Sequence, residues 1–191
     1  MASSKIHVPQ HRKDTTGRNQ REGLSAEQLF KQIVHSFGWK WANASRNENY
    51  KAHIDCWVQV DDVGKFSVDV KAAKRVARRN RNGDWAKIQD EYHWVEWTGR
   101  SGYPGWVRGK ATWIAFGTCE DSFIMVDRRR LETAVEAMIL SKRHISPRSQ
   151  WDCMDGVLWK RQGNKDEMTL LASSQLWGIQ GTWLLTNPDM S

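Results

Sequence analysis

Two short segments with alternating apolar and polar residues constrain the fold more than any other feature of this chain. Apolar residues occupy every second position in His53–Val60 and again in Lys65–Lys71. Side chains of a β-strand alternate between its two faces, so each segment predicts a strand with one buried face. The connection Asp61–Gly64 is short, and its glycine tolerates a positive φ. The pattern therefore predicts a β-hairpin.

The register of this hairpin determines which polar side chains meet. If Val60 pairs with Gly64, Asp55 lies directly opposite Asp69, and Lys71 shares their face. Two carboxylates and an ammonium group would then converge, which is what a site for a hard divalent cation and a phosphodiester needs. The alternative reading is that these charges merely solvate the outer face of an ordinary hairpin.

A helix is predicted immediately upstream, over Leu24–Gly38. Ser25 is a suitable N-cap with Gln28 completing a capping box, and Gly38 ends the helix. Glu27 borders the apolar stripe, so a helix lying on the sheet would deliver it to the two aspartates. It would otherwise only complement the positive end of the helix. The stripe itself comprises Leu29, Phe30, Ile33, Val34 and Phe37.

The chain becomes strongly basic directly after Lys71. Five cations and no acid fall within Ala72–Asn82. Such a run is either a solvated surface or a set of phosphate contacts, which give salt-sensitive affinity independent of sequence. A net charge of +7 and an isoelectric point near 9.5 favour a polyanionic partner. The candidate DNA-binding residues are Lys74, Arg75, Arg78, Arg79 and Arg81.

A helical glutamate, an aspartate at the start of one strand and an Asp-x-Lys on the next resemble the PD-(D/E)xK nuclease superfamily. The small phage-type and Holliday-resolvase-like members are the most similar. The resemblance covers about residues 20–140 and extends more weakly to about 177. Gly105–Phe116 also looks like the segment that some phage members carry after the motif. Ile54 stands where the name-giving proline would be.

The resemblance implies an α/β fold, with a restriction-endonuclease-like mixed central sheet flanked by helices in the order αβββαβ. It implies that Asp55, Asp69 and Glu27 hold Mg²⁺, for which Mn²⁺ can substitute, and that Lys71 serves the attacking water. The Val70 carbonyl lies between Asp69 and Lys71 and is a candidate extra ligand.

The function implied is that of a metal-dependent endonuclease that hydrolyses DNA phosphodiester bonds, of phage-type or homing-like character. A resolvase of branched DNA and a nucleic-acid-binding protein that does not cut remain as alternatives. DNA is the expected partner, and a homodimer is left open.

The chain divides into three predicted parts. Residues 1–23 are a basic tail expected to be disordered, 24–142 form the nuclease core, and 143–191 form a Trp-rich extension packed on it. Further elements are predicted at Tyr92–Thr98 (strand), 111–117 with 122–126 (hairpin), 127–142 (helix), 151–161 with 168–172 (hairpin) and 173–177 (helix).

The twelve tryptophans have two possible roles. Most lie on predicted strands and are expected to pack on a sheet, as for Trp57, Trp94, Trp113 and Trp159. Those near basic or glycine-rich segments could instead stack on unpaired bases, and they are Trp39, Trp41, Trp85 and Trp106.

Cysteine spacing and hydropathy indicate the cellular compartment in which the protein is expected. Cys56, Cys119 and Cys153 lie far apart and lack CxxC spacing, which predicts reduced thiols and no zinc site. No apolar run is long enough to span a membrane, and no secretory signal follows Met1. We therefore expect a cytoplasmic protein, in bacteria or in a phage-infected host.

Overall fold

The computed structural model describes residues 18–73, 91–140, 157–160 and 165–188. They form a mixed α/β fold with two β-sheets and three α-helices. The helices are α1 (Arg18–Ser36), α2 (Arg128–Leu140) and α3 (Ser173–Trp177). The strands are β1 (Lys40–Asn43), β2 (Cys56–Val60), β3 (Gly64–Lys71), β4 (Tyr92–Thr98), β5 (Trp113–Gly117), β6 (Phe123–Asp127), β7 (Trp159–Lys160), β8 (Glu167–Ala172) and β9 (Trp183–Leu185).

The central sheet has six strands in the order β1-β2-β3-β5-β6-β9. Strands β3 and β5 are parallel and every other neighbouring pair is antiparallel, so the sheet is mixed. The predicted hairpin register is confirmed, because Val60 pairs with Gly64 and Cys56 with Val68. Gly64 has a φ of 107°, which the turn requires and which strongly favours glycine.

Helix α1 covers one face of the central sheet. Phe30, Ile33 and Val34 are fully buried there against Val68 and Val70 of β3. The helix is followed by Gly38 in the left-handed conformation, with a φ of 71°, as its sequence predicts. The apolar stripe of this helix thus packs its C-terminal half against the β2–β3 hairpin.

The start of α1 differs from the prediction. The helix begins at Arg18, so Ser25 lies inside it and is not its N-cap, and Glu27 is not in its first turn. Residues 18–23 therefore belong to the helix and not to the predicted tail. The physical reason is that the arginines, glutamine and glutamate of this stretch favour helix, which outweighs both Gly23 and the capping signal at Ser25. Residues 1–17 lie outside the described part of the chain.

The opposite face of the central sheet packs on the second sheet, whose strand order is β4-β8-β7. Val95 of β4 and Leu171 of β8 share a buried cluster with Ile114 and Phe116 of β5. Leu131 and Val135 of α2 complete this layer. The sequence pattern predicts β4 as a strand but does not indicate that it leaves the central sheet.

The described residues after 156 contribute to both sheets. Strand β9 is an edge of the central sheet beside β6, while β8 pairs with β4. The predicted pairing of the two C-terminal strands is present as β7 with β8, and α3 lies where expected. The predicted linker 145–150 and residues 151–156 lie outside the described part. No helix in the described ranges has the length and apolarity needed to cross a bilayer.

Candidate active site

Asp69 and Lys71 form an ion pair at the carboxyl-terminal end of β3. Both alternate with the buried Val68 and Val70, so they share the sheet face opposite α1. The Lys71 Nζ lies 2.6 Å from Asp69 Oδ1. Asp69 is only 2 % exposed, whereas the Lys71 side chain is 27 % exposed, so only the lysine reaches solvent.

Asp55 lies beside this pair, immediately before β2. Its Oδ2 accepts a hydrogen bond of 2.7 Å from the backbone N–H of Val70, and its Oδ1 accepts one of 2.6 Å from Asn49 Nδ2. Its own N–H donates to the Val68 carbonyl, extending the hairpin ladder by one residue. The backbone of β3 therefore fixes the orientation of the Asp55 carboxylate.

Asp55 and Asp69 are close enough for the charge of Asp55 to act on the carboxyl group of Asp69. Burial is the main cause that raises the pKa of Asp69 well above its ordinary range; Lys71 opposes this, and the Asp55 charge adds to it. Asp69 Oδ2 is buried and accepts no hydrogen bond from any described residue. Ionised carboxylates have no hydrogen to share, so the pair needs a proton or a cation.

Glu27 approaches the same group from α1. Partial burial raises the pKa of Glu27, the charge of Asp55 raises it further, and Lys71 lowers it. Glu27 is thus close enough to the hairpin for its charge to interact with those of Asp55 and Lys71, although the helix starts earlier than predicted. The structure brings Asp55, Asp69 and Lys71 together at the end of the hairpin.

The donor set fits a hard divalent cation through two carboxylates. Asp69 offers an unpartnered buried oxygen, and Asp55 retains lone pairs beyond its two hydrogen bonds. Mg²⁺ usually takes one or two carboxylates and keeps several waters, so this pair suffices. Within the described ranges, however, no three acidic, histidine or cysteine side chains converge as a ligand group. Glu27 therefore lies beside the pair without completing a three-residue ligand set.

A histidine that the sequence did not single out borders the site. His53 has a φ of 53°, a left-handed conformation that is uncommon outside glycine, asparagine, aspartate and histidine. Burial lowers the pKa of its imidazole and the nearby Lys71 lowers it further, while the backbone of Pro104 and the charge of Asp55 oppose this. The only signal for it in the sequence is its position two residues before Asp55.

The glycine-rich loop at residues 99–105 and the segment after it pack against the turn that precedes Asp55. Lys110 N–H donates to the Ala52 carbonyl at 2.7 Å. A Cβ on Gly109 would lie 2.9 Å from the Ala52 carbonyl oxygen, and one on Gly105 would lie 2.1 Å from that of Glu96. Gly109 therefore permits a close approach between this segment and the turn before Asp55, whereas Gly105 permits a close approach to β4.

Trp106 forms the wall behind the lysine. The Lys71 Nζ lies 4.9 Å from the centroid of the Trp106 ring, and that ring meets Phe116 edge-on at 5.8 Å. A cation over an aromatic face is held electrostatically, so Trp106 and Asp69 together orient Lys71. The base-stacking role suggested for Trp106 by its sequence context is wrong, because the residue is buried and packs within the fold.

Val70 and the basic segment after Lys71 were also predicted to take part in the site. The Val70 side chain packs in the core that faces α1, and its backbone N–H donates to Asp55. The basic residues Lys74, Arg75, Arg78, Arg79 and Arg81 lie outside the described part of the chain.

Comparisons with known proteins gave no match to a family model, to a curated protein or to a solved structure. The fold and the site geometry therefore carry the inference about the class of protein.

Proposed function

We propose that this protein is a divalent-metal-dependent endonuclease that hydrolyses DNA phosphodiester bonds, built on a restriction-endonuclease-like sheet. The observation that carries the proposal is the buried Asp69, paired with Lys71 on one oxygen and left unpartnered on the other, beside Asp55. A buried carboxylate without a full set of partners destabilises a fold, so such a group indicates function.

The strand topology supports the same class. Helix α1 precedes the antiparallel strands β1, β2 and β3, and β5 then lies parallel to β3. This order is consistent with the αβββ start and the final parallel strand of the αβββαβ arrangement. The connection between β3 and β5 includes residues 74–90, which lie outside the described part of the chain.

Each residue of the site has a distinct task in the proposed reaction. Asp55 and Asp69 supply the anionic oxygens for the cation, and the Val70 amide and Asn49 hold Asp55 in place. When bound, the cation would polarise the phosphate and favour ionisation of water. Lys71 has three N–H donors, of which the Asp69 contact uses one, so it can also donate to the attacking water and the phosphate.

Glu27 is placed to act beside the ligand pair. Its raised pKa makes it a better proton acceptor near neutral pH than an ordinary glutamate. We assign it to accepting a hydrogen bond from the water that attacks or from one that surrounds the cation. The buried Trp106 shields the inner side of Lys71 from bulk water.

Cleavage of supercoiled plasmid tests this proposal. Purified protein incubated with plasmid and Mg²⁺ should produce nicked or linear DNA, and EDTA should abolish the products. Asp69→Asn should abolish cleavage because one anionic ligand is lost, while DNA binding in EDTA stays equal or becomes tighter because repulsion of phosphate falls.

Asp61→Asn is the matched control for that variant. Asp61 is 81 % exposed at the other end of the hairpin and pairs only loosely with Lys40, at 3.7 Å. Its cleavage rate should equal that of the wild type. An Asp69→Asn protein that cuts at the wild-type rate in Mg²⁺ would show that the metal assignment is wrong, and binding without any cleavage would favour the non-cutting alternative.

A further inference from the structure

A shallow cavity that is open to solvent lies on the turn that precedes Asp55. It measures about 440 Å³ and is lined by Arg46, Asn47, Tyr50 and Lys51. Binding sites for molecules of nucleotide size commonly measure roughly 300–1,000 Å³. Tyr50 is 83 % exposed, which is unusual for an aromatic side chain within a well-anchored turn. The lining combines two cations, an amide and an aromatic ring.

The turn that carries this cavity is fastened to the candidate active site. It is a π-helical turn, Glu48–Ala52. Glu48 accepts hydrogen bonds from the Ser45 N–H at 2.8 Å and from Trp57 Nε1 at 3.2 Å, so its charge is engaged on the sheet side. Asn49, the neighbour of Tyr50, donates to Asp55 at 2.6 Å. The backbone at Tyr50 is therefore held one residue from a contact to Asp55, and its ring projects into solvent.

The chemistry of the lining selects a ligand class. Arg46 and Lys51 attract phosphates, and the Tyr50 ring offers a flat face on which a base can stack. Asn47 adds an amide that can donate to and accept from a base edge. A base within an intact duplex is already stacked on both sides and is not available to such a ring.

We propose that this cavity binds an unpaired nucleotide next to the bond that is cut. The inference rests on the proposed nuclease function and deepens it, because it assigns the substrate to DNA with a single-stranded or locally unpaired segment at the cleavage point. Fully paired linear duplex would then bind through its backbone alone.

Binding measurements in EDTA test the inference without cleavage. The probes are a fluorescein-labelled single strand of about 15 nucleotides, of a length typical for such sites, and a hairpin duplex of the same sequence. Tyr50→Ala should weaken binding of the single strand by about 5- to 150-fold, as expected for loss of one stacked base. Tyr50→Phe should bind within about twofold of wild type because it keeps the ring. Duplex affinity should change little in either variant.

Tyr103→Ala is the matched control, since Tyr103 is 75 % exposed but does not line the cavity. Equal loss in the Tyr50 and Tyr103 variants, or equal loss on single strand and duplex, would overturn the inference. So would unchanged single-strand binding by Tyr50→Ala. Plasmid cleavage by the wild type is measured alongside and separates the two proposals. If the wild type cuts plasmid but Tyr50→Ala binds the single strand normally, the nuclease proposal stands and the stacking site is rejected.

Discussion

Replacing Asp69 by asparagine distinguishes two roles of this residue, as a metal ligand or as part of a structural ion pair. Asparagine has nearly the same shape, so packing around the buried position should be preserved. The variant removes a buried charge and its repulsion of the Asp55 carboxylate, and its amide N–H groups could donate to a neighbouring carboxylate. Lys71 loses its ionic partner but can still donate to the asparagine oxygen, is 27 % exposed and remains over Trp106.

The magnitudes favour a more stable variant in the absence of metal. A hydrogen bond to a charged acceptor contributes about 1.5–3 kcal/mol. The ion pair that is removed has a buried partner, Asp69, and a partly exposed one, Lys71; because the remaining lysine charge reaches solvent, the loss costs about 1 kcal/mol. We therefore expect Asp69→Asn to raise the free energy of unfolding by about 1–2 kcal/mol in EDTA at pH 8. In contrast, breaking a structural buried pair costs about 3–5 kcal/mol.

Urea denaturation with and without Mg²⁺ provides the assay. The wild type should gain about 2.7 kcal/mol when Mg²⁺ exceeds its dissociation constant by about 100-fold, and the variant should gain little. The order of stability should therefore reverse between EDTA and Mg²⁺. Asp61→Asn should shift the free energy of unfolding by less than about 0.5 kcal/mol in both buffers.

The pH dependence of stability gives a second readout of the same variant. The folded-state pKa of Asp69 is raised, so the folded protein keeps a proton that the unfolded chain releases above about pH 4. Its contribution to stability is therefore complete below that pH and is lost as pH rises through the raised pKa. The slope from one proton is at most about 1.4 kcal/mol per pH unit, and Asp69→Asn should lack it. A variant destabilised by several kcal/mol in EDTA would refute the ligand role.

Three further expectations concern other residues. Lys71→Met should lower the cleavage rate by about 100-fold or more, with affinity for DNA in EDTA nearly unchanged, as single-turnover kinetics and anisotropy will show. Gly109→Ala should lower the free energy of unfolding by about 1–3 kcal/mol, because its Cβ would meet the Ala52 carbonyl at 2.9 Å. Gly23→Ala should instead raise the free energy of unfolding by about 0.5–1 kcal/mol, because Gly23 lies in α1 and a Cβ there would meet no atom within 4 Å. Replacing the arginines of Lys74–Arg81 by alanine should lower the affinity for DNA and preserve the preferred sites. The slope of log K against log salt should flatten by about 0.9 for each phosphate that is no longer neutralised. A changed site preference at an unchanged slope would instead indicate base contacts.

The hairpin and its acids could be predicted because their determinants are local. Alternation of apolar residues fixes which face of each strand is buried, and the four-residue turn ending in Gly64 fixes the register. Once Val60 pairs with Gly64, the positions of Asp55, Asp69 and Lys71 are set independently of the rest of the fold.

The start of α1 and the edge strands could not be predicted, for different reasons. Capping signals compete with helix propensity, and at Ser25 the propensity of the preceding residues prevails. Strands β1 and β9 have four and three residues, too few for a period of two to emerge. They exist because the sheet offers them a pairing edge, which is a tertiary effect.

The surroundings of the site depend on contacts between distant segments. Asn49 reaches Asp55 only because a π-helical turn brings it back, and such turns have no reliable sequence signature. Trp106 meets Lys71 through a loop that closes over the sheet. The ligand pair is therefore visible in the sequence, but the groups that orient it are not.

Anomalous diffraction from crystals soaked in Mn²⁺ tests the metal assignment most directly. We predict a manganese peak within about 2.3 Å of oxygens from both Asp55 and Asp69, and no such peak in Asp69→Asn crystals. Lys71 should keep its contact to the other Asp69 oxygen. An empty carboxylate pair at saturating Mn²⁺, with Asp69 still held only by Lys71 and Asp55, would contradict the assignment.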